Sequence, residues 1–376
     1  MTRLIIHDDD AEDEIWLVWI LAITLKRYFR LFYHRDGGTS MEYGAVQDRA
    51  FTEGVDQYQY FRRENMQLVE YLKKFPLVPD SLKINYVDLW DFHSFNLHKI
   101  QYCVEPSLSI FAYLLIPKNL KTKVPGILAL HEHNDEYKAG KSETIGLVQN
   151  PEYTKLEAVA PNPKHVTPES HRQFAYARDL CEQGYVVLAP DFIGFEEYRE
   201  VNDYYNEPGF LRGYEEMLSS KYLLYGSCLL AKHLHDLYVA VSVLASIDNV
   251  DSNRIGVIGH SLGGEMASIL AAFDSRIKAG AVSCGFFSYD TFEQSGRMET
   301  AESVIPNFRA DNLNFDFFLK MIPPTPFLLT HDARDAVKLP NDTWKNLMVF
   351  EHQNGHSFPD AARKRAYDFL TDTLKS

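Results

Sequence analysis

From residue 126 to the C-terminus, short apolar runs alternate with longer stretches of helical period. Gly126 to Leu130, Tyr185 to Ala189, Ile255 to Ile258, Ala279 to Ser283, Phe327 to Thr330 and Leu347 to Phe350 are the runs, each four or five residues long. Runs this short and this free of polar interruption read as strands buried on both faces. Between them His171 to Gln183 is helical and stops at Gly184, a good C-terminal cap. Tyr222 to Ile247, Glu265 to Phe273, Asp316 to Met321 and Ala361 to Leu374 are the other expected helices. Strand–helix alternation of this kind predicts an α/β fold, a mostly parallel central sheet with helices on both faces.

The front of the chain is patterned differently. Leu82 to Trp90, Leu97 to Val104 and Ser109 to Ile116 read as three successive strands with no helix between them. Met41 to Phe75 has a helical pattern that ends before Pro76 and Pro79. A polar stretch with Pro151, Pro161, Pro163 and Pro168 is too irregular for a core element. The expected organisation is an extension over 1–40, a helical segment over 41–80 that packs on the core, and one α/β domain over 81–376. That domain carries insertions near 132–170, 192–220 and 286–318, which form a partial lid. No internal repeat or low-complexity segment interrupts it.

Composition narrows the partners and leaves the fold reading unchanged. The 376 residues are 45% hydrophobic, enough for a sizeable core, and carry a formal net charge of −14. An acidic protein is repelled by nucleic acid and by anionic membrane surfaces, so neither is expected as a partner. The four cysteines are scattered without Cys-x-x-Cys spacing and read as small apolar residues, compatible with a reducing, cytoplasmic setting. Ile15 to Leu25 is apolar but too short to cross a bilayer as a straight helix. Acidic residues precede it and Lys26, Arg27 and Arg30 follow it, the reverse of a secretory signal. A docked or interfacial helix is the plainer expectation, and a weak membrane anchor the other.

Chemistry concentrates at Gly259-His260-Ser261-Leu262-Gly263. Alone, Gly-x-Ser-x-Gly is a weak signal. Here a strand runs directly into it and a helix directly out, the arrangement of a nucleophile elbow whose serine hydroxyl projects above a sheet. A serine needs a positioned base, and on such sheets the chain order is serine, acid, histidine. Of the 14 histidines only His331, His352 and His356 follow Ser261. His356 lies in a loop between the last strand and the closing helix, where an imidazole can swing over the elbow. His331 and His352 sit at strand ends and read as structural. Asp332 and Asp335 both follow the strand Phe327 to Thr330. Asp335 is the better placed, because Ala336-Val337 resumes an apolar stretch after it and leaves loop for the carboxylate to reach back.

Backbone N–H groups must meet the oxyanion. The Leu262 amide, at the helix N-terminus, is one. The loop after Gly126 to Leu130, His131-Glu132-His133-Asn134, should give the other, with the His133 amide favoured. His131-x-His133 with Asp135 also invites a metal reading, but its position as an oxyanion loop explains it better, and no metal is expected. His233 and His235, at i and i+2 of a helix, do not face one another and read as ordinary helix residues.

These features together resemble the α/β-hydrolase superfamily, specifically its dienelactone-hydrolase-like and acetyl-xylan-esterase-like branch. The likeness rests on Ile255 to Gly264 running into Met266-Ala267, on Phe273-Asp274-Ser275-Arg276-Ile277-Lys278-Ala279, and on Ile305-Pro306-Asn307. Pro324-Thr325-Pro326-Phe327-Leu328-Leu329 before Asp335, and Gly355-His356-Ser357-Phe358, complete it. It implies cofactor-free hydrolysis of a small-molecule ester or lactone by a Ser261–His356–Asp335 triad, and it favours Asp335 over Asp332. Glu132 and Asp332 stand where this family usually has glycine, so both site loops are expected to be shaped unusually. Aromatic residues in two insertions (Phe192, Phe195, Tyr198, Tyr204, Tyr205, Phe210, Tyr214; Phe287, Tyr289, Phe292, Phe308) either wall an apolar acyl pocket or pack as local core. Two other functions use the same fold: a serine peptidase of prolyl-oligopeptidase type, whose propeller has no room before Gly126, and a receptor that binds without turnover.

Overall fold

Among the described residues nine strands follow one another. They are β1 (Ile84–Asp91), β2 (Phe95–Glu105), β3 (Leu108–Pro117), β4 (Val124–Leu130), β5 (Val186–Pro190), β6 (Val250–His260), β7 (Ile277–Ser283), β8 (Phe327–Asp332) and β9 (Leu347–His352). The computed structural model describes residues 66–75, 82–133, 139–146, 174–198, 211–286, 288–295, 301–333 and 347–376. All of them belong to one compact unit, Gln57–Ser376. The strands form a single sheet in the order β1-β2-β3-β5-β4-β6-β7-β8-β9. From β5 to β9 every neighbouring pair is parallel, whereas β1, β2 and β3 form an antiparallel meander that joins β5 antiparallel. The two patterns match the two halves of the sequence. The directly connected strands β1, β2 and β3 pair as hairpins, and β4 with β5, β6 with β7 and β7 with β8, each separated by a helix, pair in parallel.

The helices are α1 (Met66–Leu72), α2 (Tyr176–Glu182), α3 (Leu211–Leu224), α4 (Leu229–Ser246), α5 (Leu262–Phe273), α6 (Tyr289–Ser295), α7 (Asp316–Met321) and α8 (Asp360–Leu374). One face of the sheet is covered by α4 and α5, with α1, α3 and α7 contributing to the same core. The other face is covered by α2 and α8. In α4 and α5 almost every side chain is buried, as befits helices lodged between sheet and outer layer. Among the described residues no single helix is long and apolar enough to cross a membrane.

The expected helix Tyr222 to Ile247 is two helices. α3 ends at Leu224 and α4 begins at Leu229, with an 85° bend between Tyr214–Leu224 and Leu229–Ser246. Gly226 takes φ 72°, and the Ser227 amide donates back to the Tyr222 carbonyl, so the chain caps α3 in the left-handed region that glycine tolerates. The Ser227 hydroxyl then donates to the Tyr71 carbonyl at 3.0 Å and fixes the corner against α1. Several elements are longer than their apolar runs, because polar ends continue the ladder. β6 starts at Val250, and β8 carries on through His331 and Asp332, which pairs with His352 on β9. The extension 1–40, most of 41–80 and most of the 132–170 insertion lie outside the described residues.

Candidate active site

β6 delivers the chain to Ser261 and α5 carries it away, so the serine sits in the turn between them with φ 52° and ψ −121°. A non-glycine residue in that region stores backbone strain, which persists only where the surroundings impose it. They do so here through close packing. A Cβ on Gly259 would lie 2.2 Å from the Gly263 carbonyl oxygen, and one on Gly263 would lie 2.2 Å from the Leu130 carbonyl oxygen. Both glycines are therefore required for the turn to close against β4. The Ser261 amide donates to the Ser283 carbonyl of β7 at 2.9 Å, which ties the elbow to the sheet.

His356 meets the serine from the far end of the sheet. Its Nε2 is 2.8 Å from Ser261 Oγ. The loop that presents it is built from its own turns: Gly355 takes φ 71°, the Ser357 amide donates to Gly355 O at 2.8 Å, and the Ser357 hydroxyl donates to Asn354 O at 3.0 Å. Asp332, buried at the end of β8, accepts the Gly355 amide on Oδ2 at 2.5 Å and so anchors the same loop. Asp335, the expected acid, lies outside the described residues. His260 packs its ring 5.0 Å from that of His356 and stacks on Phe358. Burial, helped by the nearby His356, pushes its pKa well below the usual value, so His260 adds no charge beside His356.

The Leu262 amide stands at the first position of α5, at the positive end of the helix. His131 and His133 follow β4 directly and are both buried. His131 is used up locally. Its Nδ1 is 2.7 Å from Glu132 O and its Nε2 accepts the Phe192 amide at 3.1 Å. Burial lowers its pKa to about 4, so the ring is neutral and donates from Nδ1. Glu132, in the place where a glycine was expected, turns Oε2 to within 3.6 Å of His260 Nε2.

A family model of the dienelactone hydrolase family matches residues 168–306. YtaP of Bacillus subtilis (strain 168), provisionally named a hydrolase, is 32% identical over 232 residues, 60% of this chain and 65% of that protein. The match thus spans just under two thirds of that relative's length. A provisionally assigned acetyl xylan esterase from Bacteroides fragilis NCTC 9343 superposes with a TM-score of 0.58 at 20% identity, over 77% of this chain and 73% of that one. An acetyl xylan esterase from Paenibacillus sp. R4 superposes with a TM-score of 0.54 at 16% identity, over 85% and 98%. The chain has the α/β-hydrolase fold of these esterases. The stretch similar to the dienelactone hydrolase family, residues 168–306, is the part that carries Ser261.

Within this fold the remaining candidates fall into place. His331 is buried with Nδ1 2.8 Å from Asp332 O, and His352 accepts the Asn354 amide on Nδ1 at 3.3 Å, so both stay structural. His233 and His235 lie on α4, as expected of helix residues, and both are fully buried. The described insertion aromatics pack as local core. Phe192 sits against His131 and His233, and Phe308 stacks on Phe318 at 5.4 Å. Two groups of ligating side chains gather closely enough to hold a metal ion, Asp191 with Glu196 and Glu197, and Glu105 with His235 and Asp236. Each already encloses a lysine ammonium. Lys141 Nζ reaches all three carboxylates of the first, and Lys232 Nζ reaches Glu105 and Asp236 in the second.

Sequence reasoning missed Lys141, Lys232 and a further cluster, Glu215, Glu265 and Glu302. A charge inside an otherwise apolar helix was the available signal for Lys232 and Glu265. Nothing in the polar run around Lys141 marks it.

Proposed function

We propose that the protein hydrolyses a carboxylic ester or lactone through an acyl-enzyme, with Ser261 as nucleophile and His356 as general base. The observation that carries this reading is the 2.8 Å contact between Ser261 Oγ and His356 Nε2 at a serine held with φ 52°. Ser261 Oγ attacks the carbonyl carbon while its proton passes to Nε2. The negative charge on the carbonyl oxygen is met by the Leu262 and His133 amides. Collapse breaks the bond to the alcohol oxygen, which leaves with the proton from His356. Water then gives a proton to the same nitrogen, attacks the acyl carbon and frees the serine. Asp335 accepts the Nδ1–H, holds the correct tautomer and stabilises the imidazolium. The substrate is a small molecule and the chemistry needs no cofactor.

The test begins with fluorophosphonate labelling of the wild type, mapped by mass spectrometry to Ser261, followed by turnover of p-nitrophenyl esters of graded chain length. Ser261→Ala should be unlabelled and inactive with an unchanged circular dichroism spectrum. Asp335→Asn should lower kcat by roughly 10³- to 10⁴-fold with little change in KM, because the base is oriented chiefly for the transition state. Asp332→Asn should cost less than about tenfold, since asparagine keeps an oxygen for the Gly355 amide and removes no catalytic group. Near-normal turnover by Ser261→Ala would sink the reading. A crippled Asp332→Asn beside a healthy Asp335→Asn would transfer the acid to Asp332.

A further inference from the structure

The three insertions meet at one buried carboxylate, Glu215 on α3. Its Oε1 accepts the backbone amides of Ala301 and Glu302 (3.2 Å for the latter), which open the short turn Ala301–Ser303 in the 286–318 insertion. Its Oε2 lies 3.4 Å from Nε2 of His133, at the start of the 132–170 insertion. Glu265, one turn past the nucleophile on α5, joins the same group, and its Oε2 accepts the Ser303 hydroxyl at 2.9 Å. Glu215 is 4%, Glu265 5% and His133 9% exposed, so the cluster is largely shut off from water.

Such a cluster has no stability rationale of its own, because buried ionisable groups are frequently outperformed by apolar residues of similar volume. Its placement supplies a different one. His133 is the residue whose amide faces the oxyanion in the mechanism above, and its side chain is the part of the loop that another element grips. Fixing that imidazole fixes the peptide plane that carries the amide. We propose that Glu215 is a positioning residue for the oxyanion hole, tying the His133 loop to α3 and to the 301–303 turn so that the insertions set the direction of the His133 N–H. This rests on the ester-hydrolase reading and adds to it that the lid elements are part of the transition-state machinery. Charged and titratable groups face the cluster from each packed element: Glu302 from the 301–303 turn, His133 from the β4 loop, Glu265 from α5, and His233 from α4, whose Nε2 is 3.9 Å from Glu302 Oε1.

The experiment is a double-mutant cycle of Glu215→Ala and His133→Ala, assayed with p-nitrophenyl acetate and with phenylboronic acid as a mimic of the anionic tetrahedral state. Active sites are counted by fluorophosphonate labelling. Each single variant should lose about 10- to 100-fold in kcat and a similar factor in boronate affinity, less than the about 10²- to 10³-fold cost of removing an oxyanion donor outright, because the amide is misaimed and not lost. KM should move by less than about threefold, and the double variant should be no worse than the poorer single one. A merely structural role would lower the count of active sites and leave kcat per site and boronate affinity intact, which overturns the proposal. So would losses that multiply in the double variant. Glu215→Ala also strips an acceptor from two amides; should it not fold, His133→Ala decides alone, because its amide is retained and only the grip is lost. Undiminished kcat per site in His133→Ala refutes the inference. If the wild type does not label at Ser261, the ester-hydrolase reading fails instead.

Discussion

Two residues one helical turn apart, Ser261 and Glu265, show how different the demands on neighbouring side chains are. The serine is held with φ 52°, and the glutamate is buried under the insertions. Burial raises the Glu265 carboxyl to about 8; the charges of Glu302 and Glu215 add to this, while the Ser303 hydroxyl and His133 oppose it. The folded protein therefore keeps a proton that the unfolded chain releases near 4.5. Stability linked to that proton is fully present below 4.5 and is lost as the pH rises through about 8. Glu265→Gln imitates the neutral acid at every pH. Its stability relative to wild type should rise from about pH 5 to about pH 9, measured by urea unfolding at both ends. A difference that stays flat would mean the carboxyl is ionised in the folded state. Ser261 and His356 were legible in the sequence because elbow and loop are contiguous motifs. Glu265 was not, since its partners Glu215, Ser303 and His133 come from three remote segments.

Elements were legible wherever burial is complete. β4, β5 and β7 follow their apolar runs closely, because a strand wrapped in core has few polar positions to confuse its period. The break between α3 and α4 escaped notice because Leu223, Leu224 and Tyr225 continue an apolar pattern while standing exposed at the corner. Elements are also joined by charge. Lys141 draws Asp191 at the end of β5 together with Glu196 and Glu197 in the following turn. Burial disfavours charge on Lys141, yet the three carboxylates outweigh it and hold the ammonium protonated. Burial likewise opposes charge on Glu197, but Lys141 and Lys99 bring it down to about 2. Lys141→Met would leave buried carboxylates without their cation, and should lower unfolding free energy by about 3–5 kcal/mol in urea titrations near neutral pH. A loss below about 1 kcal/mol would show that water already screens the cluster.

At the scale of the molecule, the parallel half of the sheet and its two helical layers were readable from alternation alone. The position of the meander was not, since nothing local says that β3 will join β5 and leave β4 inside the sheet. That pairing sets β5 between β3 and β4, a long-range choice that the irregular sequence between Leu130 and Val186 does not signal. Ser261, His356, Leu262 and His133 all fall within the unit Gln57–Ser376. A chain starting at Met41 keeps that unit whole, so it should stay soluble and hydrolyse p-nitrophenyl acetate at a rate per labelled site within about twofold of the full chain. Aggregation, or loss of activity, would assign Ile15 to Leu25 a place in the core or in an interface.

The backbone at Ser261 also bears on how such a protein changes over generations. Glycine would occupy that turn at no steric cost, and one substitution reaches it. A lineage that kept this fold only to bind a ligand would drift toward the relaxed residue, since most proteins sit close to their stability threshold and small gains are readily found. Serine is retained at a lasting cost in stability only while its hydroxyl is selected for. Relatives carrying glycine here are the ones in which turnover should be sought and found missing, and their extra stability would measure what the chemistry costs the rest.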